Sequence, residues 1–302
     1  MKKLMLILAC VVAFSASAAA KRQDSKATEV IQRYLKMPMP RKPPGSGPER
    51  KARLKVLGEL KSMPGEAVSA YARALREVKN PWQRYELAVK FRSTCSAFDT
   101  DESVALLCEL LTDHDERIRY QAICGLHGMS RRTHRSGAKR IPQGPDFAPK
   151  VAGLVPYLIS AASDKVDSNR IVALYALADT REPLAVSELR KKLKDPSELV
   201  RSLAACLLTE YQDATGLPEM RNALDRLRSI NLPLALDILY YDEAERLLSS
   251  FERITGKSFG PIPLNPGLRS DTRQIPNIRK RYKALLDTWA EWWAWEPKAK
   301  EK

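Results

Sequence analysis

The chain has 302 residues, of which 44% are hydrophobic and 29% charged, a balance that excludes a disordered or fibrous chain and supplies apolar mass for one large or two smaller domains. Its 13 glycines against 20 prolines are few for a turn-rich β-sandwich or barrel. A formal net charge of +15 favours anionic partners such as nucleic acid, anionic lipid headgroups or acidic glycans, without choosing among them.

Residues 1–20 read as an address. Met1-Lys2-Lys3 is a short cationic start, Leu4 to Phe14 is an apolar run, and Ser15 to Ala20 is small and neutral, ending in Ala18-Ala19-Ala20. This is the pattern of a secretory signal peptide, too short to span a bilayer. Cleavage before Lys21 and a periplasmic or secreted location are expected. Loss of Lys2 and Lys3 takes the net charge to +13. Ile7-Leu8-Ala9-Cys10 loosely resembles a lipobox, but the apolar run continues past Cys10, so Cys10 reads as one more residue of the hydrophobic stretch. The remaining Cys95, Cys108, Cys124 and Cys206 are too sparse for a disulfide framework and read as buried thiols.

Residues 21–50 form a short helical pattern (Val30, Ile31, Tyr34, Leu35) followed by a proline-rich linker from Met37 to Pro48. From Lys51 the apolar period is helical. It is interrupted at Pro64-Gly65 and again at Asn80-Pro81, and no sustained two-residue alternation calls for strands. Between 51 and 250 the chain repeats itself. Leu107, Asp113, Arg119, Ala122 and Leu126 recur as Leu158, Asp164, Arg170, Ala173 and Leu177, and again as Leu189, Asp195, Arg201, Ala204 and Leu208. Asn80 with Val89 reads as a decayed copy upstream. Each copy predicts a helix pair. The Asp lies in the turn, where its carboxylate is placed to cap the second helix, and the Arg in that helix's first turns is placed to reach a neighbouring Asp. The small Ala permits close approach. A single pair cannot bury its apolar face alone, so the pairs must stack.

With these residues in view, segment 100–213, and more loosely 66–99, resembles the HEAT-like repeats named after phycobilisome lyases. The resemblance implies an all-α solenoid and a binding or scaffolding role. It implies no lyase activity, for no bilin site is found. The last segment, 251–302, carries Ile254-Thr-Gly-Lys-Ser-Phe-Gly260 and then Trp289, Trp292 and Trp293. It resembles the terminal segment of exported bacterial HEAT-like proteins, which implies a C-terminal helical cap.

The chemistry-bearing motifs have plainer readings. Gly256-Lys257-Ser258 copies the end of a phosphate-binding loop, but Phe251 stands where the first glycine belongs and a helix precedes it, so Gly256 reads as the residue that ends that helix. Trp289, Trp292 and Trp293 share a stripe with Leu285 and Leu286 and read as core rather than as a glycan or membrane platform; Trp295 lies off the stripe. Cys108, His114, Cys124 and His127 superficially resemble a zinc set. A turn centred near residue 113 sets Cys108 opposite about residue 119, an axial offset of ~7 Å from Cys124 at ~1.5 Å per residue, which disfavours both a metal site and a bridge. Neither Gly-x-Ser-x-Gly nor His-Glu-x-x-His occurs, so no enzyme and no cofactor are expected.

The insertion 130–149 interrupts the repeat with Arg131, Arg132, Arg135, Lys139 and Arg140 and no acidic residue among them. Insertions in solenoids map to loops on one face, which makes these five the candidate partner- or anion-binding residues. The expected function is an exported protein–protein interaction scaffold of the cell envelope. The alternative is an anion-binding module for acidic glycan or anionic lipid; nucleic acid is disfavoured by export.

Overall fold

The computed structural model describes residues 26–38, 48–98, 100–131, 147–230, 237–263 and 275–300. The expected signal peptide with Cys10, and Arg132, Arg135, Lys139 and Arg140 of the insertion, lie outside the described residues. The described chain holds thirteen α-helices and no strand: it is an all-α solenoid of stacked helix pairs. No described helix is long and apolar enough to cross a membrane. The chain divides into two compact units, residues 1–161 and 162–302, which are taken separately.

The first unit contains α1 (Lys26–Lys36), α2 (Pro48–Gly58), α3 (Pro64–Glu77), α4 (Pro81–Phe98), α5 (Asp101–Leu110), α6 (Glu116–Arg131) and α7 (Phe147–Ala161). Starts are set by local chemistry. Pro64 opens α3, where its missing N–H costs nothing, and the Thr100 side chain caps α5 by accepting from the Ser103 N–H. Helix α7 takes in Phe147 to Pro149, which the sequence pattern assigned to the insertion. Packing alternates as in a solenoid. α3 pairs with α4 and α5 with α6, while α3 also stacks on α5 and α4 on α6. Val68, Tyr71, Leu75, Leu87, Phe91, Leu107, Ile118 and Leu126 form the buried seam.

Helix α1 is held to this array by a buried ion pair. Arg53 on α2 and Glu86 on α4 are 1% and 0% exposed and lie 3.1 Å apart (Nε to Oε2). The Tyr34 hydroxyl of α1 donates to the same Glu86 oxygen at 2.7 Å. Arg53 Nη1 donates to the Met37 carbonyl at 2.7 Å, and the guanidinium lies 4.3 Å from the centroid of the Tyr34 ring. Burial, reinforced by the Glu86 hydrogen bond, pushes the Tyr34 phenol far above its ordinary pKa, so it stays a neutral donor.

The second unit contains α8 (Asp167–Thr180), α9 (Pro183–Lys192), α10 (Glu198–Leu208), α11 (Leu217–Ser229), α12 (Asp237–Thr255) and α13 (Ile275–Lys300). Here α8 stacks on α10 and α10 on α12, while α9 pairs with α10 and α11 packs on α12 and α13. Gly216, just before α11, lies so close to α10 that a Cβ there would fall 2.6 Å from the Ala205 Cα. Because that neighbour is backbone, Gly216→Ala is expected to destabilise by about 1–3 kcal/mol, read as a shift of the urea midpoint without a change of slope.

The C-terminal helix closes this unit's core. Ile278, Tyr282, Leu286 and Trp289, at spacings of four, four and three, are buried against Leu247, Leu248 and Phe251 of α12. Trp289 stacks on Phe251 with centroids 5.0 Å apart, whereas Trp292 and Trp293 sit half-buried on the flank. The buried stripe is thus one row narrower than the tryptophan spacing suggested. Gly256, at φ +69°, ends α12, and its N–H donates to the Glu252 carbonyl at 2.9 Å.

None of the four described cysteines is in a disulfide. Cys108 and Cys124 are not bridged to one another, and the methyls of Leu107 lie where a Cβ on Gly125 would sit. Burial pushes the Cys108 thiol up to about 12 and the Cys206 thiol up to about 11. Both remain protonated, and hence poor nucleophiles, at pH 8. A disulfide reagent is therefore expected to titrate the folded protein far more slowly than the protein in guanidinium, with Cys95 and Cys206 slowest. Rapid reaction of all four in the folded state would contradict this packing.

Candidate protein-interaction face

The repeated Asp and Arg build the turns that aim the second helices. The Asp113 carboxylate accepts from the Asp115 N–H at 2.9 Å, Asp164 from the Val166 N–H at 2.9 Å, and Asp195 from the Ser197 N–H at 3.0 Å. These are turns tied two residues ahead, and they replace the expected helix caps: neither Val166 nor Ser197, which precede α8 and α10, caps with its side chain. The arginine then closes each turn from behind. Nη1 of Arg119, Arg170 and Arg201 donates to the carbonyl of Asp113, Asp164 and Asp195, at 2.8, 2.9 and 2.8 Å. Each also reaches the following carbonyl, at 3.3, 3.3 and 3.2 Å.

Some arginines also reach the next turn. Arg170 spans to Asp195 through Nε (3.0 Å) and Nη2 (2.7 Å), with both residues under a tenth exposed. Arg84, which the sequence alignment did not include, makes a two-pronged contact with Asp113. Arg201 turns instead to Glu219 at 3.4 Å. The six repeat residues are therefore structural, and they fix the second helices in register.

Among the described residues, that register leaves one face of α4 and α6 partly exposed. Trp82, Tyr85, Val89 and Arg92 on α4, and Arg117, Tyr120, Cys124 and His127 on α6, follow the same three-four-three spacing thirty-five residues apart. All eight are half-buried or exposed, opposite the buried Leu87, Phe91, Ile118 and Leu126. The Trp82 and Tyr85 rings are tilted at 5.6 Å. The Arg117 guanidinium lies 5.3 Å from the Tyr85 centroid and is held by Asp115 through Nε (3.0 Å) and Nη2 (2.7 Å). These bonds hold the Asp115 carboxyl below its ordinary pKa, so the brace persists through the physiological range. Tyr120 and Cys124 share a hydrogen bond beside Arg92, and burial raises the pKa of both.

This face carries no catalytic or metal-ligating motif that would mark it in the sequence. The signal was the second repeated register, 82/85/89/92 against 117/120/124/127. Of the insertion cations, only Arg131 lies within the described residues. It is the last residue of α6.

A cleft of about 500 Å³ in the second unit is bordered by Arg181, Arg190 and Tyr211. Glu210 and Asp213 hold both guanidiniums, and Asp179 and Glu182 add negative charge around Tyr211, so the cleft has no net attraction for an anion. Arg181 and Gln212 at its edge adopt left-handed backbone, as the αL cap that commonly follows a helical turn does. Among the described residues, no three of His, Cys, Asp and Glu converge as a metal would require.

No family model and no curated protein matches the chain. Among solved structures, it is similar to a designed armadillo repeat protein in complex with the peptide (KR)4, at 16% identity over 75% of this chain and 100% of that one, with a TM-score of 0.43. A computationally designed armadillo repeat protein for modular peptide recognition has 16% identity over 74% and 99% of the two chains, with a TM-score of 0.41. An engineered protein has 16% identity over 76% and 97%, also at 0.41.

Proposed function

We propose that this helical-repeat protein is a non-catalytic, exported scaffold of the cell envelope, of the HEAT-like type named after phycobilisome lyases, and that it binds a protein partner on the α4–α6 face. The observation that carries the binding role is the composition of that face. Trp, Tyr and Arg dominate the energetics of protein interfaces because they bury much area at small entropic cost and pair it with a directional polar group. Here Trp82, Tyr85, Tyr120 and Arg117 stand half-exposed on stacked helices whose turns are locked. Export is supported by the charged, apolar and small-residue order of residues 1–20.

The test is a cross-linked pull-down from intact envelopes. It compares the protein with a Tyr85→Ser/Tyr120→Ser variant and with a variant carrying Ser at Arg131, Arg132, Arg135, Lys139 and Arg140. Loss of a defined protein partner in the tyrosine variant supports the reading. Equal capture by all three chains would remove the face from the interaction. N-terminal sequencing of exported material that finds Met1 retained would overturn export by cleavage.

A second reading, an anion-binding module for acidic glycan or anionic lipid, draws on the five insertion cations. It predicts capture that fails in the five-cation variant and weakens steeply with salt, as screened charges do.

A further inference from the structure

We infer that the seat formed for α1 by α2, α3 and α4 also receives α1 of a second copy, so that two chains exchange this helix reciprocally. The seat is distinct from the α4–α6 face: α4 offers Gln83 and Glu86 here, and Trp82 and Tyr85 there.

The seat has the features of a binding site for a helix. Ala27, Val30, Ile31 and Tyr34, at spacings of three, one and three, are at most 4% exposed, while Glu29, Gln32, Arg33 and Lys36 face solvent. Helix α1 packs by this stripe against α2 and α3. Both ends of the occupant are also read. At the N-terminal end, the Glu66 carboxylate of α3 accepts from the Ala27 N–H at 3.4 Å. At the C-terminal end, Gln83 Nε2 donates to the Leu35 carbonyl at 3.1 Å, and Arg53 Nη1 donates to the carbonyls of Met37 and Pro38, at 2.7 and 3.3 Å. An anion thus stands at the positive end of the helix dipole and a cation at the negative end, which fixes the direction in which a helix can lie. Between them the Tyr34 hydroxyl donates to Glu86 at 2.7 Å. All of these groups belong to α2, α3 and α4, so the seat accepts the helix whichever chain supplies it.

The connection favours a second chain as the supplier. Five of the eleven residues 38–48 are proline. Such a composition favours the extended polyproline form, at about 3.1 Å per residue, or roughly 31 Å over ten steps. The interval closed within one chain is far shorter. The Met37 carbonyl touches Arg53, and Pro48 opens the same helix only five residues before Arg53, about 7.5 Å along its axis. A tether whose natural reach exceeds its span lowers the local concentration of α1 at its own seat. Gly45-Ser46-Gly47 supplies the freedom to turn back, so the closed form holds at low protein concentration.

Exchange keeps every contact, because each seat still holds one α1. The balance between one chain and two is therefore set by the connection and by concentration. The contacts in the seat set only the speed, since α1 must leave before it can cross.

The experiment is size-exclusion chromatography with light scattering on the full chain, equilibrated in mild urea over a range of protein concentrations. A dimer is expected to grow with concentration. Pro40→Gly/Pro43→Gly/Pro44→Gly is expected to lower the dimer fraction about fivefold, and Gly45→Pro/Gly47→Pro to raise it by a similar factor. Tyr34→Phe, which removes only the hydroxyl bond to Glu86, should leave the equilibrium fraction unchanged and hasten the return to monomer on dilution several-fold. In dimers of heavy-isotope and ordinary chains, short cross-links from Lys26 and Lys36 to the remainder of the first unit should join unlike chains. Unaltered helical circular dichroism shows that the variants fold. A monomer at every concentration, in the Gly45→Pro/Gly47→Pro variant as well, would overturn the inference. So would a dimer whose cross-links from α1 stay within one chain, or one that Tyr34→Phe weakens while the proline variants leave it unchanged.

Discussion

Glu86→Ala is expected to lower the stability of the protein by about 3–5 kcal/mol, measured as the shift of the urea unfolding curve. The side chain is 0% exposed and accepts from both Arg53 and Tyr34. Its removal leaves the Arg53 guanidinium, itself 1% exposed, without its buried counter-charge. The loss should fall first on α1 and α2, which the pair ties to α4, so limited proteolysis at Lys36 is expected to accelerate along with the global change. A paired replacement, Arg53→Met with Glu86→Leu, should recover most of the loss, because the desolvation of two charges then disappears together with their attraction. A cost below about 1 kcal/mol for Glu86→Ala would show that water reaches the pair.

The second large effect is expected at Asp195. Its carboxylate makes the two-pronged contact with Arg170 and also accepts from the Ser197 N–H, and both partners of the ion pair are buried. Asp195→Ala removes both functions and is expected to cost about 3–5 kcal/mol. Asp195→Asn retains an oxygen for the Ser197 N–H while losing the charge, so it should cost less, and the difference between the two isolates the turn bond. A double-mutant cycle with Arg170→Met should give a coupling of at least about 1 kcal/mol, because the two side chains share the contact. Additive losses would mean that each residue acts only within its own turn.

How far the sequence predicted this molecule depends on how local the cause is. The helix pairs were legible because Leu, Asp, Arg, Ala and Leu recur at fixed spacing, and the turn that each copy encodes lies within about twenty residues. The turn bonds were partly legible: an Asp ahead of a helix announced a bond to backbone, but whether it caps the helix or ties the turn depends on φ and ψ at the next two residues. The Arg84–Asp113 contact escaped because its arginine lies four residues after Asn80 instead of six, so the aligned position is Glu86. The Arg53–Glu86–Tyr34 cluster joins residues 33 and 52 positions apart on three helices, and no spacing rule reaches that far. The α4–α6 face was present in the sequence as a repeated register, yet it emerges as a surface only when the opposite sides of both helices are known to be buried. Of the insertion's cations only Arg131 falls on a described element, as the last residue of α6.

The closed bond between each arginine and the carbonyl six residues before it bears on how such a chain grows. A turn that completes itself within seven residues owes nothing to the length of chain that follows. The 51-residue step from Asp113 to Asp164 and the 31-residue step from Asp164 to Asp195 therefore end in turns with the same bond lengths to within 0.1 Å. New sequence entering after the end of a second helix lengthens the interval without rewording either turn. The array thus has a syntax in which an extra clause is admitted between two copies while each turn keeps its own wording.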